Sequence, residues 1–67
     1  YFNVKSSENF TKLNLFNIHG QLVLSVNLSG IQSKFYRIGT SELSNGVYLL
    51  ELIHSDLENS RTILIKN

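Results

Sequence analysis

A chain of 67 residues has room for one domain and one core, and folding at this size removes only ~60% of the unfolded surface from water, which leaves no room for a deep catalytic cleft. The net charge is +1, and Lys5, Lys12, Lys34, Arg37, Arg61 and Lys66 are scattered, so there is no basic stripe of the kind that binds nucleic acid. No apolar run approaches the ~20 residues of a membrane-spanning helix, and without Cys there is neither a disulfide framework nor a thiolate metal site.

Ala, Met and Pro are also absent, and Leu, Ile, Val, Phe and Tyr supply the apolar content, a mix that favours strands over helices. Tyr1 to Lys5 alternates like a strand with Phe2 and Val4 inward, and the chain reads as a piece cut from something longer. Ser6 to Asn9 is expected as a polar turn. A second strand, Lys12 to Ile18, carries Leu13 and Leu15 on one face and Phe16 and Ile18 on the other. Asn17-Ile18-His19-Gly20 is a hairpin signal, because Asn favours the start of a type I turn and Gly accepts the left-handed conformation that closes a bulged loop. In the returning strand, Gln21 to Leu28, the residues Leu22, Leu24, Val26 and Leu28 alternate with Gln21, Val23, Ser25 and Asn27, the period of a half-buried antiparallel strand.

Ser29-Gly30 breaks that pattern, and Lys34 to Ile38 reads as a shorter strand with Tyr36 and Ile38 on one side and Phe35 and Arg37 on the other. Leu43, isolated among polar residues, is expected to plug the end of the core. The organising stretch is Leu43 to Ile53, where the turn Ser44-Asn45-Gly46 leads into the most apolar run of the chain. Tyr48, Leu50 and Leu52 fall on one face and Val47, Leu49 and Ile53 on the other, as expected of a central strand covered on both sides. A loop from Ser55 to Asn59 precedes the last strand, Arg61 to Lys66, which places Ile63 and Ile65 on one face and Leu64 on the other. About six strands joined by short turns indicate an all-β sandwich or small barrel.

The same residues offer little for chemistry. Glu8, Glu42, Glu51, Asp56 and Glu58 lie in separate loops and strands with no spacing that argues for an acid and base pair. His19, in a hairpin turn, and His54, at a strand end, read as solvated or turn-bonded imidazoles rather than metal ligands. Glycines 20, 30, 39 and 46 are dispersed and form no phosphate-cradling loop. Phe10 and Phe35 read as exposed aromatics that pack at the core or rim, with a glycan-binding or protein-binding face as the alternative. No catalytic residue, cofactor or metal is expected.

Three segments together carry a resemblance: Leu15 to Val23 with Asn17 and Gly20, Leu43 to Tyr48 with Leu43, Gly46 and Tyr48, and the closing strand with Ile63, Leu64, Ile65 and Lys66. From Lys12 onward the chain resembles the type A C-terminal sorting domain of the type IX (Por) secretion system of Bacteroidetes. The resemblance implies a small immunoglobulin-like antiparallel β-sandwich of six to seven short strands. It also implies that residues 1–67 are one sorting domain, a monomer that directs an N-terminal cargo domain of the same chain across the outer membrane, meets secretion-system components there, and is usually cleaved afterwards. Ile63 to Lys66 match the family's terminal signal, with Lys66 expected as an exposed terminal charge. The family's Tyr-Pro-Asn-Pro opening is absent, so the chain reads as lacking the first strand, and Gly39 stands where the family often has Asp. Leu-x-x-Gly-x-Tyr also resembles the tyrosine corner of sandwich domains. A passive immunoglobulin-like spacer or carbohydrate-binding accessory module is the alternative function.

Overall fold

The computed structural model describes residues 1–28, 33–54 and 58–67. It is all-β, with five strands among the described residues: β1 (Phe2–Asn17), β2 (Leu22–Asn27), β3 (Ser33–Ile38), β4 (Gly46–His54) and β5 (Asn59–Lys66). All are antiparallel neighbours in one sheet of order β2-β1-β4-β5, with β3 also paired to β1. The break expected at Ser29-Gly30 and the loop expected at Ser55 to Asn59 fall wholly or mainly outside the described residues.

The strand count is lower than the sequence suggests because Ser6 to Asn9 is not a turn. These residues continue β1 as extended chain, and the irregularity is absorbed in the pairing with β3, where Lys5 faces Phe35 and the next paired residue, Phe10, faces Ser33. A second register shift follows on the other side of β1. Phe10 pairs with His54 and Lys12 with Ile53, so Thr11 is an extra residue. A one-residue bulge exchanges the two faces of a strand. Val4 and Phe10 are buried before it, and Leu13 and Leu15 after it, so Phe10, expected to pack at the core or rim, lies fully buried in the core.

The core consists of Val4, Phe10, Leu13, Leu15, Ile38, Tyr48, Leu50 and Leu52, with Phe2, Leu24, Val26, Leu28, Tyr36, Leu43 and Leu64 packed around it. A flat sheet with no covering layer would leave such residues wet on one side. Here both halves of β1, Val4 and Phe10 before the bulge and Leu13 and Leu15 after it, share one core with Ile38 of β3 and Tyr48, Leu50 and Leu52 of β4. Each fully buried Leu, Ile or Phe contributes ~1.5–3 kcal/mol to this core.

Two expectations about faces change accordingly. β4 is not covered on both sides: Tyr48, Leu50, Leu52 and His54 are buried, whereas Val47, Leu49, Glu51 and Ile53 are exposed or half-buried. In β2, Leu24 and Val26 pack on the core as expected, but a register shift between Leu15 and Phe16 brings Leu22 opposite Phe16 and leaves it exposed. His54 also departs from the solvated imidazole expected of it. It is buried, its Nδ1 lies 2.8 Å from the Asn9 carbonyl and its Nε2 2.7 Å from Ser60 Oγ. A carbonyl can only accept, so Nδ1 carries the hydrogen and the ring ties β1, β4 and β5 together.

Candidate recognition surface

At the first turn, the side chain of Asn17 organises the hairpin between β1 and β2. Its Oδ1 accepts hydrogen bonds from the backbone N–H groups of His19 (2.9 Å) and Gln21 (3.0 Å), and its Nδ2 donates to Gln21 Oε1 (2.9 Å). The Gly20 N–H donates to the Asn17 carbonyl at 3.0 Å, closing the turn, and Gly20 sits at φ 80° in the left-handed region. This is the bulged type I hairpin that the residue types foretell.

The turn before β4 is built in a similar way. The Leu43 N–H donates to the Thr40 carbonyl (3.0 Å), Gly46 takes φ 152°, and the Tyr48 hydroxyl donates back to the Ser44 carbonyl (2.6 Å). A Tyr near the start of a strand that bonds backbone just upstream is a tyrosine corner. Leu43 packs, half-buried, against the core at this end. Lys66, expected as an exposed charge, points into the corner instead, and its Nζ donates to the carbonyls of both Thr40 and Leu43. The cause is strand parity, because Lys66 pairs with Gly46 on the same side as Leu64, which pairs with Tyr48.

Asn17 also pairs with Tyr48, so the hairpin, the corner and the end of β5 meet at one pole of the sheet. Ile63 and Ile65 do not join that inner cluster. They face outward, 58% and 60% exposed, opposite Leu49 and Val47, with Phe16 on the far side of Leu49. The result is an apolar outer face with a shallow groove of about 410 Å³ bordered by Phe16, Ile18, Val47, Leu49 and Ile63. A polar row bounds it across four strands. Ser25 Oγ donates to Asn14 Oδ1 (2.8 Å), Asn14 Nδ2 to Glu51 Oε1 (3.3 Å), and Arg61 pairs with Glu51 Oε2 (3.4 Å).

Glu51, the carboxylate beside the groove, is committed to Arg61 and Asn14, and among the described residues no three His, Cys, Asp or Glu side chains gather as metal ligands. Among the described residues no helix is long and apolar enough to cross a membrane. The outer-face residues Phe16, Val47 and Leu49 were missed as part of a surface by sequence reasoning that covered both faces of β4. Alternation alone leaves the inward face undecided, and only the pairing of Leu64 with the inward Tyr48 turns Ile63 and Ile65 outward.

No curated protein and no solved structure matches the chain significantly. One family model does, that of the secretion system C-terminal sorting domain, over residues 1–66, which extends the likeness seen from Lys12 onward back to the first strand. Domains of this family are sorting signals for type IX secretion and are not known as enzymes. With the match spanning nearly the whole chain, this all-β protein belongs to the C-terminal sorting domain family of the type IX, or Por, secretion system.

Proposed function

We propose that this domain, as a monomer, carries an N-terminal cargo across the outer membrane, is recognised there by components of the secretion system through β5 and the outer face beside it, and is cleaved from the cargo afterwards. Family membership over residues 1–66 is the observation that supports export. The assignment to β5 is supported by its place at the sheet edge, where one side of its backbone is unpaired among the described residues, and by the outward Ile63 and Ile65. An edge strand of that kind can accept a partner strand by backbone pairing while its exposed side chains add specificity.

The test is a periplasmic reporter fused in front of this chain in a host that has the secretion system. The reporter is expected at the cell surface or in the medium, released from the domain. Retention in the periplasm, with the fusion folded and intact, would refute export and favour the spacer or glycan-binding function.

A further inference from the structure

We infer that Lys66 is a positioning residue: its ammonium latches the end of β5 to the Thr40–Leu43 turn and thereby sets the sorting surface, without itself contacting the secretion machinery. The inference rests on the proposal that β5 carries the recognised surface.

Four observations carry it. The two cations of β5 face opposite ways, Arg61 outward with its side chain 65% exposed and paired to Glu51, Lys66 inward and half-buried. The Lys66 ammonium spends two of its three N–H groups on the carbonyls of Thr40 and Leu43, so most of its donor capacity is used inside the domain. Thr40 is 6% exposed, and its carbonyl also accepts the Leu43 N–H, so the ammonium braces a turn that is already closed by the backbone. Finally, the Tyr48 hydroxyl grips the Ser44 carbonyl next to Leu43. Adjacent residues of one connection are thus held from β4 by Tyr48 and from β5 by Lys66.

Among the described residues β5 has β4 as its neighbour on one side only, and strand ends at a sheet edge open first. The latch counters that opening at the last strand residue, two positions beyond Leu64, and so holds Ile63 and Ile65 in their outward alternation. Side chains of one short segment consequently divide their work, with Leu64 and Lys66 building the pole and Ile63 and Ile65 facing outward.

The experiment compares Lys66→Met, which keeps length and loses the donors, with Lys66→Arg, which keeps donors and charge. Amide hydrogen exchange is read on the 67-residue chain and export on the reporter fusion. In Lys66→Met the Leu43 amide is expected to exchange ~10-fold faster, while amides in the middle of β4 are unchanged, and export falls severalfold; Lys66→Arg restores both readouts. Loss of export in Lys66→Met with Leu43 protection intact would overturn the inference in favour of direct contact by the machinery. Faster Leu43 exchange with full export would overturn the positioning role, and no change in either readout would overturn the latch. If the unaltered fusion is not exported, the sorting proposal and the functional half of this inference fail together, while exchange still decides whether the latch exists.

Discussion

The Tyr48 ring is buried against the core while its hydroxyl reaches the Ser44 carbonyl at 2.6 Å, so one side chain joins the core to the connection that precedes β4. Tyr48→Phe keeps the ring and removes only the bond, and urea melts should show a loss of ~0.5–1.5 kcal/mol. The glycines separate by backbone angle rather than by space. An added Cβ would meet nothing within 4 Å at Gly20, Gly39 or Gly46, yet only Gly20 and Gly46 of these have positive φ. Gly20→Ala and Gly46→Ala should each destabilise by ~1 kcal/mol or more, and Gly39→Ala should be close to silent in the same melts. His54 is a further anchor, since truncation to Ala would remove its bonds to the Asn9 carbonyl and the Ser60 hydroxyl and leave a cavity where the buried ring sits. A cost of ~2–4 kcal/mol is expected, and a thermal melt indistinguishable from the parent would show that the imidazole is not a staple.

Among the elements, β1 does the most with the least regularity. The extra residue at Thr11 lets Val4 and Phe10 share a core with Leu13 and Leu15, although the two pairs lie on opposite parities. Deleting Thr11 would restore uninterrupted alternation and turn one of the pairs toward water. With each such side chain contributing ~1.5–3 kcal/mol and whole domains stable by only ~5–15 kcal/mol, the deletion should unfold the chain, seen as collapse of amide chemical-shift dispersion. A substitution such as Thr11→Val, which keeps the residue count, should not. The last strand follows the same logic in reverse: its unbroken alternation puts Leu64 and Lys66 in and Ile63 and Ile65 out.

For the molecule as a whole, the inner face is used for folding and the outer face is left available. Ile63→Asn combined with Ile65→Asn should therefore change stability by only ~0.5 kcal/mol per site, as for exposed positions, yet abolish export of a fused reporter. Export that persists with both substitutions would remove the outer face from recognition. Local chemistry was enough to establish the β class, the Asn17–Gly20 hairpin, the Tyr48 corner and the motifs that name the family, because each depends on residues close together in sequence, such as the four positions between Tyr48 and Ser44. Alternation likewise shows that Ile63 and Ile65 share a face. It cannot show which face is inward, since a period of two is symmetric until a neighbouring strand breaks the tie. The outward Ile63 and Ile65, the buried Phe10, the staple from His54 to Asn9 across 45 positions and the latch from Lys66 to Thr40 across 26 were decided only by strand pairing. A one-residue bulge and a bond to a distant carbonyl leave no periodic trace in the chain, and only the tertiary structure brings their partners into reach.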